Sequence, residues 1–145
     1  GYRECGDDFK RHPLFSADIA KRYLEMIGYP QEPLREMVRG IALHALTDAL
    51  PEDMTVFQMS VRDCDDIDRF DMIRTAMLLG DCVNEKTNQE IIASCNQAIE
   101  VANWIMSLPR GTRTAQDMIN KNCRRRIALL RDILAQANKG FHYPC

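Results

Sequence analysis

The chain is poor in several features, and each absence narrows what it can be. No apolar run approaches the roughly 18 residues of a membrane span, so a membrane protein is not expected. The six cysteines, Cys5, Cys64, Cys82, Cys95, Cys123 and Cys145, contain no Cys-x-x-Cys pair, which argues against a zinc knuckle. Free thiols in a reducing, cytoplasmic compartment are expected instead. Neither charge sign dominates: the formal net charge is -2, so there is no global attraction to nucleic acid or anionic lipid. Aromatic residues make up only 7%, with a single tryptophan, Trp104, assigned to the helix-packing core. The first residues, Gly1-Tyr2-Arg3-Glu4-Cys5, are too polar for a signal peptide and lack an initiating methionine, so a fragment or processed product is expected.

Alternating strand patterns are also missing, and helical spacing takes their place. A helix is expected from Pro13 or Ser16, burying Ile19, Ala20, Tyr23, Leu24 and Ile27 and ended by Gly28 and Pro30. A second begins near Pro33, with Leu34, Met37, Val38, Ile41 and Ala45 on one face, and closes at Pro51. A short helix over residues 52–62 carries Met54, Phe57 and Val61, and another runs from about Asp63 to Leu79 with Ile67, Phe70 and Met77 buried. Thr87-Asn88-Gln89-Glu90 is a capping box for a helix through Ser107, whose stripe is Ile91, Cys95, Ala98, Ala102 and Ile105. Pro109-Arg110-Gly111 breaks the chain, Thr114 and Asp117 start a last helix to about Asn138, and residues 141–145 form an appendage. The pattern implies an all-α helical bundle of five to six helices.

Chemistry concentrates in Val61-Arg62-Asp63-Cys64-Asp65-Asp66-Ile67-Asp68-Arg69-Phe70, where four carboxylates fall within six positions between apolar blocks. Carboxylates beside a core are costly unless they meet water, a cation or hydrogen-bond donors. Asp65 and Asp68 share a helix face, and Asp66 points about 100° away. Helix capping by Asp63 to Asp66 in a first turn is the competing explanation. His44 lies in the apolar run Ile41-Ala42-Leu43-His44-Ala45-Leu46, and His12 precedes Pro13. Each, taken alone, suits an ordinary packed or helix-start role. Together with a carboxylate they suggest a divalent-metal site, with imidazole admitting Mn, Fe, Co, Ni or Zn beside Mg. The third histidine, His142, carries no functional assignment.

Three motifs in order, His12-Pro13-x-x-Ser16-Ala17-x-Ile19-Ala20, Ile41-x-x-His44 and Asp63-Cys64-Asp65-Asp66-Ile67-Asp68-Arg69-Phe70, resemble the HD-domain metal-dependent phosphohydrolase superfamily over roughly residues 8–80. The resemblance implies His12, His44 and Asp65 as metal ligands; Asp68, on the same helix face as Asp65, is a secondary candidate. Asp65, holding the ion, and Arg69, on the turn after it, are the expected catalytic residues, Arg69 as a phosphate donor or an ion-pair partner. The family's defining histidine and His-Asp pair do not occur in this chain, and Asp66 stands where relatives usually carry a basic residue. The chain is therefore expected to be an incomplete HD domain, with a degenerate, non-catalytic relative as the alternative. Residues 1–83 would form the C-terminal part of the core, and residues 84–145 a two-helix extension packed on it.

The expected activity is hydrolysis of a phosphomonoester, phosphodiester or nucleotide. The expected partners are a phosphate-containing small molecule and the missing N-terminal part of the same protein. A non-catalytic helical interaction or assembly module is the alternative. Arg110 to Arg131 holds seven basic residues against Asp117, including Arg124-Arg125-Arg126. Contiguous residues fan around a helix, so at least one of these arginines must abut the apolar stripe at Ile127 and Leu130. No aromatics interleave with them, and nucleic-acid binding is not expected.

Overall fold

A computed structural model describes residues 9–45, 51–83 and 86–139. Within them the chain is all-α, with no strand. A 3-10 turn, Phe9–Arg11, precedes α1 (His12–Met26), α2 (Gln31–Leu43), α3 (Val56–Arg69), α4 (Met72–Val83), α5 (Asn88–Ser107) and α6 (Arg113–Ala137). None of these helices is long and apolar enough to cross a membrane. Two compact units emerge: one holds the chain up to Asp65 with Arg110–Ala115, the other Asp66–Pro109 with the chain from Gln116 onward. Cys5, His142, Cys145 and the tail from Phe141 lie outside the described residues, as does the side chain of Cys82.

In the first unit α1 packs against α2. Gly28 adopts φ 72°, and the N–H groups of Gly28 and Tyr29 bond the carbonyls of Glu25 and Leu24 at 3.1 and 2.9 Å. That is a Schellman termination: glycine takes the left-handed turn and two end carbonyls find donors. Pro30 then turns the chain into α2. Gly40 lies buried against α3, where a Cβ would stand 3.0 Å from Val61 Cγ2 and 3.2 Å from Gln58 Cα. The glycine is what lets the two helices approach. Glu36 Oε2 accepts from Thr55 Oγ1 at 2.8 Å and Gln58 Nε2 at 3.1 Å, tying α2 to the start of α3.

The apolar face expected for α1 is largely outward. Pro13 and Ala17 are buried, while Ile19, Tyr23 and Ile27 are exposed. α2 meets α1 along the margin of that stripe, because Ala17 is small enough to admit a neighbouring helix and the larger side chains are not.

The second unit is built around Phe70, which is completely buried among Ala102, Ile105, Ile119, Cys123 and Ile127. The break expected near residue 62 falls instead at Phe70-Asp71, so the acidic run lies in the later turns of α3 rather than in a first turn. Two caps explain the shift. Thr55 and Gln58 form reciprocal backbone–side-chain bonds at the start of α3 (3.2 and 3.4 Å), and Asp71 Oδ1 accepts the Arg74 N–H at 2.8 Å at the start of α4. The end of α3 is closed by α6. Asn122 Nδ2 donates to the Ile67 carbonyl at 3.2 Å, and an Arg126 terminal nitrogen donates to the Arg69 carbonyl at 2.7 Å. Both acceptors are end-of-helix carbonyls that α3 cannot satisfy itself.

The capping box of α5 forms as its sequence implies, with Thr87 and Glu90 bonded reciprocally. Ile105, Ala102 and Cys95 are buried as expected, but Trp104 is exposed, as is Met77 on α4. Trp104 directly precedes Ile105, and adjacent helix positions point about 100° apart, so the buried isoleucine turns the indole outward. Cys64 is an exposed free thiol, and Cys95 and Cys123 are buried.

Candidate functional site

His12 is the first residue of α1, followed by Pro13, whose fixed φ suits the opening turn. His44 is the C-cap of α2, its backbone N–H bonded to the Ile41 carbonyl at 3.5 Å. Because α1 and α2 pack together, these two positions, 32 residues apart, meet. The Nε2 atoms are 3.2 Å apart, and the rings approach edge-on with centroids 5.1 Å apart. Both side chains are half-buried.

His44 is also oriented from behind. Its Nδ1 lies 2.6 Å from the Ile41 carbonyl. A carbonyl only accepts, so Nδ1 carries the proton and Nε2 presents a lone pair toward His12. Without an ion, His12 Nε2–H donates into that lone pair. With an ion, the same backbone bond is the support that metal-binding histidines commonly use on their second nitrogen. Two nitrogens held at about 2.0–2.1 Å around a tetrahedral ion stand about 3.3 Å apart, so the observed spacing fits the bite of one cation.

The carboxylates of the acidic run divide by burial. Asp65 is exposed on α3, and among the described residues no group of three or more His, Cys, Asp or Glu side chains is arranged to hold a metal. Asp65 therefore does not form a three-donor group with the two imidazoles. Asp68 is engaged by Arg74, whose Nε and a terminal nitrogen lie 3.0 and 2.9 Å from its Oδ2. Arg69 is exposed, with its guanidinium 5.8 Å from the Phe70 ring centroid, and belongs to the second unit.

Asp63 is structural. Its Oδ2 accepts the Gly111 N–H at 2.9 Å, and Oδ1 lies 3.5 Å from a terminal nitrogen of Arg110, with both side chains buried. Asp66 is buried as well. The sequence suggests first-turn capping for Asp63, but Asp63 lies inside α3 and its donor arrives from a turn 48 residues away.

A groove of about 210 Å³ lies along Arg11, Leu14, Phe15 and Asp18 on α1, with the Arg11 guanidinium 5.4 Å from the Phe15 centroid. It is smaller than the roughly 300 Å³ at which ligand pockets begin. No family model matches the sequence, and comparison with curated proteins and with solved structures gives no match.

Proposed function

We propose that His12 and His44 are two ligands of one divalent metal ion in a metal-dependent phosphohydrolase acting on a phosphomonoester, phosphodiester or nucleotide. The observation that carries this reading is the 3.2 Å Nε2–Nε2 approach, with His44 Nδ1 anchored on the Ile41 carbonyl. A bound ion would polarise a phosphoryl oxygen and make hydroxide available near neutral pH. The chain's own contribution is orientation. The Ile41 carbonyl fixes the His44 tautomer, and the Pro13 turn fixes where His12 leaves the helix. Two imidazoles alone hold an ion weakly, so the reading requires oxygen donors as well; the resemblance names Asp65, which the described geometry does not group with the two imidazoles.

A second reading rests on the lack of a three-donor group among the described residues. In it the imidazole pair is a hydrogen-bonded clasp between α1 and α2 in a non-catalytic module. Cobalt(II) titration separates the two. The metal reading expects visible ligand-field bands that His44→Ala abolishes, and metal-dependent hydrolysis of bis(p-nitrophenyl) phosphate that Asp65→Ala removes. The clasp reading expects no bands, no hydrolysis, and a lower melting temperature for His44→Ala.

A further inference from the structure

Between Asp117 and Asp132, α6 carries no acidic residue and five basic ones, Lys121, Arg124, Arg125, Arg126 and Arg131. Arg126 turns inward onto Phe70, and the other four are exposed. At about 100° per residue these four fall within an arc of about 120°, opposite the packed line of Ile119, Cys123 and Leu130. Exposed Ala128 lies near the middle of the arc. From Lys121 to Arg131 the helix rises about 15 Å. None of the four makes a hydrogen bond or ion pair among the described residues.

Nothing in the fold offsets this crowding of one sign. Arg124 and Arg125 each stand about one turn from Lys121, where like charges weaken a helix. The same chain arranges α1 the other way: Asp18 with Arg22 and Lys21 with Glu25 are pairs of opposite sign one turn apart. A face kept only for solubility needs no segregation, since interspersed signs serve it as well. A local rule broken without gain inside the fold marks a surface that acts outside it.

We propose that this face of α6 docks an acidic segment of another protein, about ten residues long, whose carboxylates meet the four cations. Guanidinium groups suit carboxylates because two parallel N–H donors match two oxygens. Ala128 keeps the middle of the face low, so a partner backbone can approach between the longer side chains. The chain has 19 basic residues against 21 acidic ones, so without these four the remainder is acidic and repels a long polyanion that overruns the face. No aromatic lies between Asp117 and Asp132 to stack a base.

Fluorescence anisotropy of a labelled oligoglutamate peptide of about ten residues, titrated with the full chain at about 50 mM salt, tests this. Saturable binding is expected, weakening as salt is raised to about 200 mM because exposed ion pairs are screened. Arg124→Glu with Arg125→Glu should weaken it about tenfold or more, with an unchanged circular dichroism spectrum because both side chains face solvent. Lys10→Glu with Arg35→Glu makes the same change in net charge at two exposed residues elsewhere, and should leave the affinity within about twofold. No saturable binding at low salt overturns the proposal. Equal losses in the two double variants overturn it as well, by reducing the effect to net charge. A single-stranded oligonucleotide or phosphatidylserine vesicles held through Arg124 and Arg125 more tightly than the peptide would overturn it in favour of a different class of partner.

Discussion

Asp63 accepts the backbone N–H of Gly111 at 2.9 Å, and so one carboxylate of the acidic run fastens the turn between α5 and α6. Its other oxygen faces Arg110 at 3.5 Å, where both side chains are almost fully buried. A Cβ on Gly111 would stand 3.0 Å from Met59 Cβ and 3.1 Å from the Val56 carbonyl oxygen, which is why glycine occupies the turn. Removing a partner from a buried, hydrogen-bonded charge leaves the other groups unsatisfied. Asp63→Ala is expected to cost about 3 kcal/mol in urea unfolding. Asp63→Asn should cost less, because an amide oxygen still accepts from Gly111. Equal losses would mean that the charge beside Arg110 dominates.

Two helical glycines should respond with opposite signs. Gly40→Ala would place a methyl 3.2 Å from the Gln58 Cα, backbone that cannot swing aside. Its gain in helix propensity, about 1 kcal/mol, is outweighed by overpacking of about 1–3 kcal/mol. Gly80 in α4 is exposed, and a Cβ there meets nothing within 4 Å. Gly80→Ala should therefore stabilise by about 0.5–1 kcal/mol. Thermal or urea midpoints for the two variants are the check, and destabilisation by both would remove the packing explanation for Gly40.

These contrasts mark where the sequence was legible. Signals complete within one helical turn were readable: Gly28 with Pro30, the Thr87–Glu90 box, and the Pro109–Gly111 break. The sequence reading brought His12, His44 and Asp65 together; the structure brings His12 to His44 but groups no carboxylate with them among the described residues. The boundary between α3 and α4 was lost by overlooking two short caps, Thr55-x-x-Gln58 and Asp71, which outweigh the charge density of the acidic run. The outward face of α1 was unreadable for a different reason. Periodicity reveals an apolar stripe but not whether a neighbouring helix covers its centre or its edge. The burial of Asp63 depended on donors far along the chain, a long-range pairing that spacing cannot show.

The capping box of α5 should respond to acid. The hydroxyl and backbone N–H of Thr87 both donate to Glu90, at 2.7 Å each, and hold its carboxyl below the ordinary range. A depressed carboxylate contributes stability above its unfolded pKa, about 4.3, and that contribution fades as pH falls through the lower folded value. Amide exchange at Glu90 and Ile91 is expected to accelerate below about pH 4.3 more than in the middle of α5. Thr87→Ala should weaken this pH dependence by removing the hydroxyl donor and the reciprocal cap while the backbone N–H donor stays. A Glu90 amide equally protected on both sides of that range would count against the box.

Among the contiguous arginines only Arg126 should matter to stability. Arg124 and Arg125 are exposed, whereas Arg126 is buried with its guanidinium 4.5 Å from the Phe70 centroid. Its Nε donates to Thr75 Oγ1 at 2.8 Å, and that hydroxyl in turn donates to the Asp71 carbonyl at 2.7 Å. A terminal nitrogen closes α3 through the Arg69 carbonyl. Burial pushes the Arg126 pKa down, but a guanidinium stays charged at neutral pH, so the cost of desolvation is offset by these bonds and the ring. Arg126→Ala is expected to lose about 3 kcal/mol, since it leaves a helix-end carbonyl without a donor and a gap over Phe70. Arg126→Lys should recover little, because an ammonium cannot span the Thr75 hydroxyl and the Arg69 carbonyl with a planar fork. Arg124→Ala and Arg125→Ala should stay within about 0.5 kcal/mol of the parent. Urea midpoints for the four variants decide the matter. A large loss at Arg124 or Arg125 would mean that the exposed basic face contributes to folding, which the structure gives no reason to expect.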